Sequence, residues 1–335
     1  MGDARVQNLG IAITGSGSAV PASFLDNQAL SELVETSDEW ITTRTGIRQR
    51  RLASPGESLT DLAAAAGNQA IAMAQINPQD VDLILLATST PDDLFGTACK
   101  IQAALGASRA VAFDLTAACS GFVFGLVTAA QYIKTGIYQN VLLIGADVLS
   151  RWVDWQDRGT CVLFGDGAGA VVMQANQRDN LLGFELKSDG TQNHYLNLAY
   201  KDSPLELTQG ISVGKGSFEP ITMNGKEVYR FAVQKVPEVI DKALFRANLS
   251  VDQLDWLLLH QANQRILNAV AERMNIPEHK VISNLASYGN TSAASIPLAL
   301  DEAVRSGKIK PGDIIAASGF GAGLTWGASI FRWGK

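Results

Sequence analysis

The sequence predicts an α/β protein made of two similar halves. Apolar strand-like runs alternate with helical segments, which is typical of largely parallel sheets covered by helices. The segments VDLILLA (81–87), AVAFDLTAACSG (110–121), NVLLIGAD (140–147) and FGDGAGAVV (164–172) recur, in the same order, as LDWLLLH (254–260), KVISNLASYGN (280–290), DIIAASGF (313–320) and LTWGASIF (324–331). A duplication of halves of about 150 residues explains this repeat. We place the halves at 1–175 and 176–335.

The elements of the first half can be predicted in order. The segment 9–20 indicates a strand that runs into a glycine turn, and Ser58 with Asp61 forms a capping box that opens an Ala-rich helix. The run at 81–88 is apolar on both faces, as central parallel strands are. The other patterns predict helices at 26–35, 58–73 and 97–105, strands at 110–113, 141–144 and 171–173, and a buried helix that reaches Lys134 and is followed by Gly136.

The second half opens with a stretch of weak patterns. Residues 176–219 carry scattered turn residues and short strands, so we interpret them as a partly β connection, and 190–222 have no assigned role. Regular patterns then predict helices at 226–248, up to Met274 and up to Ser306, and strands at 254–259, 281–285, 314–317 and 324–331. Right-handed crossovers would produce two parallel-rich sheets with helices between and outside them.

Cys119 lies where the strand at 110–113 gives way to the buried helix. Its neighbours Ala118, Ser120 and Gly121 are small and leave space for a substrate to approach the sulfur. Because the free N–H groups and the positive dipole at a helix N-terminus favour the thiolate, we expect a lowered pKa for this thiol. A small buried core cysteine is the alternative interpretation.

An arginine-rich segment suggests a phosphate-bearing ligand. Four arginines fall within the eight residues 44–51, shortly after Trp40, in an acidic protein. We favour an interpretation in which arginines bind phosphate oxygens while Trp40 stacks on a flat base. The alternative is a solvated charged loop.

Two glycine-rich segments carry weaker signals. Gly15 and Gly17 resemble the start of a dinucleotide fingerprint, but Val20 stands where the third glycine belongs. The stretch at 164–170 lacks the Lys-Ser/Thr of a P-loop, and tight backbone packing explains its glycines better.

Composition and charge exclude several functional classes. The chain has 335 residues, of which 47% are hydrophobic and 18% charged, as in ordinary globular proteins. No apolar run approaches the ~18 residues needed to span a bilayer, and MGDARVQNLG lacks the apolar core of a signal peptide, so we expect a cytoplasmic protein that does not bind membranes. The net charge of −6 argues against nucleic-acid binding. Three scattered cysteines form neither a disulfide framework nor a metal motif.

Four predicted strand ends carry unusual content: Cys119, His260, Asn290 and the glycine-rich segment 319–323. The duplication relates the Cys119 loop to the Asn290 loop and the 87–93 loop to the His260 loop. Because α/β sites form at the carboxyl ends of strands, we expect these residues to converge on one cavity. Taken alone, His260 could be a satisfied strand-end histidine and Asn290 a helix cap.

Six motifs follow one another along the chain: DEWITTRTGI (38–47), TAACSGF (116–122), DRGT with FGDGAGA (157–170), HQAN-x-R (260–265), GNTSAAS (289–295) and GFGAG-x-TWG (319–327). Together they resemble the β-ketoacyl-acyl carrier protein synthase III family, which are condensing enzymes of the thiolase superfamily. The resemblance covers essentially the whole chain. It implies a homodimer with a thiolase-like duplicated α/β fold, in which two mixed five-stranded sheets form a five-layer αβαβα arrangement.

The resemblance also implies a reaction. A short acyl-CoA, acetyl-CoA in the first instance, would condense with malonyl-acyl carrier protein under loss of CO2, giving 3-oxoacyl-acyl carrier protein and initiating fatty acid synthesis. Cys119 would carry the acyl group, and the backbone N–H groups of Cys119 and Ala322 would bind the oxyanion. His260 and Asn290 would stabilise the enolate, while Phe320 would exclude water. Acyl-CoA is a substrate here, and no cofactor or metal is implied.

The resemblance assigns further residues to the substrates. CoA would contact Trp40, Arg44, Arg158, Asn263 and Arg265. Phe95 matches a position that reaches across the dimer to bound the acyl pocket, and its bulky ring implies a short primer. The family often has two adjacent basic residues on the helix after HQAN, where this chain has Glu272 and Arg273.

Four alternatives remain to be weighed. A biosynthetic thiolase would need a second cysteine within 317–327, which has none, and an elongating synthase would carry histidine in place of Asn290. A nucleotide-binding dehydrogenase is disfavoured by the broken glycine fingerprint. A catalytically silent interaction protein is disfavoured by the intact Cys-His-Asn set.

Overall fold

The computed structural model describes residues 9–335. The first eight residues, which belong to the segment from which we predicted the absence of a signal peptide, lie outside this range. Its helices are α1 Asn27–Leu30, α2 Asp38–Thr45, α3 Leu59–Ala74, α4 Ala98–Leu105, α5 Gly121–Lys134, α6 Arg158–Cys161, α7 Gly225–Ala247, α8 Gln264–Arg273, α9 Leu285–Tyr288 and α10 Ser295–Arg305. Its strands are β1 Gly10–Ala19, β2 Phe24–Asp26, β3 Gln49–Arg51, β4 Leu83–Ala87, β5 Val111–Leu115, β6 Asn140–Val148, β7 Asp166–Asn176, β8 Leu181–Ser188, β9 Leu196–Asn197, β10 Tyr200–Thr208, β11 Ile211–Phe218, β12 Thr222–Met223, β13 Trp256–Leu259, β14 Val281–Ile282, β15 Ile314–Gly321 and β16 Thr325–Arg332.

Two five-stranded sheets have the same topology. The first has the order β1-β7-β6-β4-β5, and the second has the order β8-β16-β15-β13-β14. In each sheet the first two pairings are antiparallel and the last two are parallel. This order pairs the segments that the sequence repeat matched, and it confirms the predicted duplicated α/β fold. The boundary between residues 175 and 176 stays a prediction.

The helices form three layers around the two sheets. Helices α5 and α10 lie between the sheets and contact strands of both. Phe122, Leu126 and Leu300 from these helices belong to the central core. Helices α3 and α4 cover the outer face of the first sheet, and α7 and α8 cover that of the second. The result is the five-layer arrangement that the resemblance implies.

The predicted glycine turn near the chain start is wrong. Gly15 and Gly17 lie within the continuous strand β1. A Cβ atom at Gly17 would lie 2.2 Å from the Ala66 carbonyl oxygen, and one at Gly15 equally close to that of Ala70. The glycines therefore allow α3 to pack directly on the strand backbone. We predicted such tight packing for the stretch at 164–170, and it occurs there too, because a Cβ atom at Gly169 would lie 2.6 Å from the Leu298 nitrogen.

Other predicted elements differ in extent. The helix expected at 26–35 is only α1, and the strand expected at 281–285 is the two-residue β14 followed by α9. The stretch 176–219 is more than a connection, because it contains β8, the edge strand of the second sheet, and the β10–β11 hairpin. Within residues 9–335, no helix combines the length and the apolar character needed to cross a bilayer.

Candidate active site

Cys119 lies in a short 3-10 turn, Ala118–Ser120, that connects β5 to the start of α5. Ala118 adopts a φ of 47°, a left-handed conformation that strains a residue with a side chain. The strand end of β15 packs against this turn, since a Cβ at Gly321 would lie 2.6 Å from the Cys119 nitrogen. The Ser292 hydroxyl donates a hydrogen bond to the Cys119 sulfur over 3.3 Å. Both sequence halves therefore fix the position of the thiol.

His260 directly follows strand β13 and is buried, with 1% of its surface exposed. Its Nδ1 lies 2.7 Å from the Ser295 hydroxyl, at the start of α10. The Phe320 ring packs edge-on against the imidazole, with 5.4 Å between the ring centroids. These contacts fix the ring, and within residues 9–335 no group forms a hydrogen bond with Nε2.

Asn290 is held through its backbone and its side chain. Its N–H donates to the Leu163 carbonyl (2.9 Å), and its carbonyl accepts from the Gly165 N–H (3.0 Å). Its Oδ1 accepts a hydrogen bond from the Ser292 N–H (2.9 Å). Because the oxygen is engaged and no described residue accepts from Nδ2, this amide group is the part of the carboxamide that can donate to a ligand.

The structure brings the predicted thiol, imidazole and carboxamide to one cavity. This cavity has a volume of about 410 Å³, and its lining includes Cys119, His260, Asn290 and Phe320. A second cavity of about 710 Å³ also reaches Cys119; its lining includes Ala322 and the largely apolar residues Leu149, Trp152, Phe164, Leu198, Phe218 and Ile221. Cys119 therefore lies where the two cavities meet.

The expected lowering of the Cys119 pKa is wrong. Burial raises the pKa of this thiol to about 12, and the nearby Asp147 carboxylate acts in the same direction, although the hydrogen bond from Ser292 opposes them. The helix terminus does not overcome the loss of solvent around the sulfur. Burial also lowers the pKa of His260 to about 3. Both groups are neutral near pH 7.

Three of the five residues predicted to bind CoA line the smaller cavity, and the other two are in contact with each other nearby. The guanidinium groups of Arg44 and Arg158 lie over the Trp40 ring, 4.9 and 5.0 Å from its centroid. The Asn263 side chain donates to the Arg44 carbonyl (3.1 Å) and caps α8, while Arg265 lies over the Tyr229 ring. Arg44, Asn263 and Arg265 line the cavity, but Trp40 and Arg158 do not.

Not every arginine of the 44–51 cluster faces a ligand. Arg50 is fully buried, and its guanidinium donates to the Leu25 and Val162 carbonyls and to the Asn27 side chain. Arg51 donates to backbone carbonyls at 21 and 22. The phosphate-binding interpretation is therefore wrong for these two arginines, which connect β3 by hydrogen bonds to neighbouring backbone segments.

Phe95 does not reach Cys119 within its own chain. Its side chain is fully exposed, beside the exposed Leu94, and it lines neither of the cavities that contain Cys119. It lies instead over a surface groove along strand β5.

Three residues at the site escaped the sequence analysis: Ser292, Ser295 and Asp147. The serines belong to the GNTSAAS motif, where they stand two and five residues after Asn290, and this position in the motif was the available signal. Asp147 ends the apolar run NVLLIGAD, where a carboxylate is unexpected in a strand buried on both faces.

Comparisons with known proteins agree with this geometry. The family described as 3-Oxoacyl-[acyl-carrier-protein (ACP)] synthase III matches residues 113–190, and its C-terminal counterpart matches 244–333. A beta-ketoacyl-[acyl-carrier-protein] synthase III of Trichormus variabilis is 78% identical over 98% of this chain and 100% of the relative. The structure is similar to a 3-oxoacyl-[acyl-carrier-protein] synthase III from Aquifex aeolicus VF5, with a TM-score of 0.88, 45% identity and coverage of 97% and 100% of the two chains. It is also similar to the corresponding synthase from Pseudomonas aeruginosa PAO1, with a TM-score of 0.88, 40% identity and coverage of 97% and 99%. The chain therefore belongs to the β-ketoacyl-acyl carrier protein synthase III family.

Proposed function

We propose that the chain condenses a short acyl-CoA, acetyl-CoA in the first instance, with malonyl-acyl carrier protein to give 3-oxoacyl-acyl carrier protein, the reaction that initiates fatty acid synthesis. The observation that carries this proposal is the meeting of Cys119, His260 and Asn290 in one cavity. A nucleophile and two hydrogen-bond donors at one point are what an acyl transfer followed by a decarboxylation requires.

In the first half-reaction, the Cys119 sulfur attacks the thioester carbonyl of the acyl-CoA. The tetrahedral oxyanion is bound by the backbone N–H groups of Cys119 and Ala322. The close packing of Gly321, the residue before Ala322, on the Cys119 nitrogen supports this assignment. The thioester bond to CoA then breaks. One thiol proton is lost by the cysteine and one is gained by CoA, so the step is balanced without a redox partner.

In the second half-reaction, malonyl-acyl carrier protein enters and loses CO2. The electron pair of the broken C–C bond forms an enolate, and His260 Nε2 and Asn290 Nδ2 donate hydrogen bonds to its oxygen. The Ser295 hydroxyl accepts from the Gln261 N–H (3.3 Å) and can donate to His260 Nδ1, which leaves the proton of the neutral imidazole on Nε2. Phe320 shields this side of the cavity from water. The carbanion then attacks the acyl-cysteine carbonyl, forming the new C–C bond, and the C–S bond to the cysteine breaks. The sulfur leaves as a thiolate and takes up one proton from water, which restores the neutral thiol.

The CoA nucleotide would bind at the mouth of the smaller cavity. Arg44, Asn263 and Arg265 line it, and Trp40 with Arg158 provides the stacking surface for the adenine. Since Arg158 already lies over the Trp40 ring, it must move aside to admit a base between them. The chemistry proposed here uses no metal or redox cofactor, because decarboxylation itself supplies the electron pair.

We propose a homodimer that acts in the cytoplasm. Strand β5 is an edge strand on which Val111 is exposed and the other residues are half-buried, and among residues 9–335 its only strand partner is β4. Such an edge is a template for pairing with another strand, and a second copy of β5 would place Phe95 beside the partner chain. A nucleophilic free cysteine also fits a compartment that keeps thiols reduced.

The decisive experiment separates the two half-reactions. Incubation with acetyl-CoA should add one acetyl group per chain at Cys119, as seen by peptide mass spectrometry, and Cys119→Ser should abolish this labelling. His260→Ala and Asn290→Ala should still be acetylated but lose about 100-fold or more of the malonyl decarboxylation rate. A wild-type chain that neither acetylates nor condenses would overturn the proposal, and variants that lose acetylation but keep decarboxylation would reverse the assigned roles.

The proposed role of Phe95 gives a prediction about primer length. If its ring bounds the partner's acyl pocket, Phe95→Ala should shift the preference from acetyl-CoA toward butyryl- and hexanoyl-CoA by about tenfold in relative kcat/KM. A primer survey with malonyl-acyl carrier protein measures this ratio. Phe245 on α7, which is 86% exposed, provides the control, since Phe245→Ala should leave the ratio unchanged.

A further inference from the structure

The buried carboxylate of Asp147 has no role in the scheme above. It lies near the end of β6 with no exposed surface. Its Oδ1 accepts hydrogen bonds from the Thr88 hydroxyl (3.2 Å), the Ser89 N–H (2.8 Å) and the Thr90 hydroxyl (3.0 Å), all in the segment after β4. Its Oδ2 accepts from the Ala293 N–H (3.1 Å), in the other half of the sequence. The carboxylate thus connects the first sheet to the turn that follows Asn290.

That turn holds two of the proposed reacting groups. Ser292 donates through its N–H to Asn290 Oδ1 and through its hydroxyl to the Cys119 sulfur. Ser292 also adopts a φ of 51°, a conformation that persists in a residue with a side chain only where the surroundings impose it. Strand β6 imposes it here, because the backbone of the turn packs directly on the strand: a Cβ atom at Gly145 would lie 2.2 Å from the Ala293 carbonyl oxygen.

We infer that Asp147 is a positioning residue: by anchoring the 292–293 turn, it sets the Cys119 sulfur and the Asn290 carboxamide in register with each other. The inference rests on the proposed function, because it assigns a role in that reaction. A displacement of about 1 Å in such a group can cost 100-fold in rate. Asp147 makes no hydrogen bond to the sulfur or to the carboxamide; it holds the turn at the Ala293 N–H, and the adjacent Ser292 contacts both groups.

Asparagine at position 147 would break this anchor selectively. An asparagine side chain has one acceptor oxygen and one donor NH2 group. Three donors converge on the Oδ1 side, so the oxygen would stay there and the NH2 group would face the Ala293 N–H. The hydrogen bond to the turn would be lost, because the asparagine NH2 group and the Ala293 N–H are both donors. The volume of the side chain stays nearly the same.

Asp301 provides a matched control. It is equally buried, with 1% of its surface exposed, and it accepts hydrogen bonds from the Ser16 and Ser18 hydroxyls and from Arg305. It lies on α10 and contacts none of the reacting groups. Asp301→Asn therefore reports what the loss of a buried, hydrogen-bonded carboxylate costs the fold alone.

The test measures both half-reactions with the whole 335-residue chain, with acetyl-CoA and malonyl-acyl carrier protein as substrates. Asp147→Asn should lower kcat for acetyl transfer and for decarboxylation by about tenfold or more, with the KM for acetyl-CoA changed by less than about twofold. Ser292→Ala removes the hydroxyl but keeps the N–H, so it should slow acetyl transfer and leave decarboxylation within about twofold. The double variant should transfer acetyl groups no more slowly than the slower single variant, because both changes act on one connection.

Each result decides the inference. The inference is wrong if Asp147→Asn folds and keeps both rates. It is also wrong if the rate losses of Asp147→Asn and Ser292→Ala in acetyl transfer multiply in the double variant. Equal rate losses in Asp147→Asn and Asp301→Asn, at equal free energies of unfolding, also overturn it, because they would reflect the fold alone. If Asp147→Asn does not fold, Ser292→Ala decides by itself, and an unchanged acetyl-transfer kcat contradicts the inference. Failure of the wild-type chain in both half-reactions would refute the proposed function instead.

Discussion

At the scale of single residues, the Cys119 thiol is subject to two opposed effects. The N-terminus of α5 favours the thiolate, but enclosure between two sheets removes the water that would solvate a negative sulfur. Burial dominates and raises the pKa of Cys119 to about 12. In the proposed reaction the sulfur is therefore ionised only as it attacks, when the oxyanion donors already face the thioester.

This pKa predicts the reactivity of the free protein toward alkylating agents. The rate of Cys119 modification by iodoacetamide should rise by about tenfold per pH unit from pH 6 to 10 without a plateau, because the thiol stays protonated throughout this range. Peptide mass spectrometry follows Cys119, and the exposed Cys99 confirms that the reagent is active. A plateau below pH 8 would mean that the helix terminus outweighs burial.

His260 predicts a dependence of stability on acid. Its pKa is lowered to about 3 in the folded chain, whereas the imidazole of the unfolded chain titrates near 6.5. Below pH 6.5 the imidazole of the unfolded state binds a proton that the folded state does not. The free energy of unfolding therefore decreases as the pH is lowered, by about 2 kcal/mol between pH 6.5 and pH 5. Urea unfolding should show this loss in the wild type and a loss about 2 kcal/mol smaller in His260→Ala. Equal losses in the two proteins would contradict the prediction.

Sequence patterns reveal groups at strand ends, but not the contacts that position them. Cys119, His260 and Asn290 could be proposed because each lies in a loop that comes after an apolar, strand-like run. The roles of Ser292 and Ser295 depend on which side chains the fold brings beside them, and a motif does not contain that information. Arg50 was predicted to bind a ligand because it lies in a charged segment. Its side chain is instead buried and donates hydrogen bonds to backbone carbonyls.

At the scale of elements, close backbone packing decides where glycine occurs. Along β1 the carbonyls of α3 lie so near the strand that no Cβ fits at Gly15 or Gly17. The same spacing of glycines in a sequence is compatible with a phosphate-binding turn, and only the neighbouring helix distinguishes the two. Elements with strong apolar runs, such as β4 and α3, were predicted to within two residues.

The packing of α3 on β1 gives a stability prediction. Gly17→Ala places a methyl group 2.2 Å from the Ala66 carbonyl oxygen, so the helix must shift away from the strand. We expect the free energy of unfolding to fall by about 1–3 kcal/mol, as for other overpacked sites. Gly190→Ala is the control, because nothing lies within 4 Å of its Cβ position. Similar urea midpoints for the two variants would show that α3 adjusts freely.

Strand β8 marks the limit of pattern-based prediction at this scale. Its residues alternate between buried and half-buried positions, as expected for a strand at the edge of a sheet. The alternation is short and follows a run of polar residues, so it was merged with the 176–219 connection. Its equivalence to β1 becomes visible only when the two sheets are compared as wholes.

At the scale of the whole molecule, the duplication explains why the site exists. Equivalent loops of the two halves face each other, so a thiol from one half meets an imidazole and a carboxamide from the other. Asp147 crosses the same boundary through the Ala293 N–H, and Ser292 crosses it through the Cys119 sulfur. The relative placement of the halves therefore controls the spacing of all the proposed reacting groups.

One edge of β5 pairs with no other strand within residues 9–335, and this edge could form the contact between two copies of the chain. Val111 is 49% exposed on this edge, and Leu94 and Phe95 are exposed close by. If two β5 strands pair across a dimer, Val111→Lys places like charges at the junction, and light scattering should show that the dimer dissociates toward single chains. Ile137→Lys changes an apolar residue of similar exposure, 63%, in the turn after α5 and should leave the dimer intact. The dissociated variant should also discriminate less between acetyl- and hexanoyl-CoA, because Phe95 would no longer reach the partner's pocket. A Val111→Lys protein that remains dimeric would place the interface on another surface.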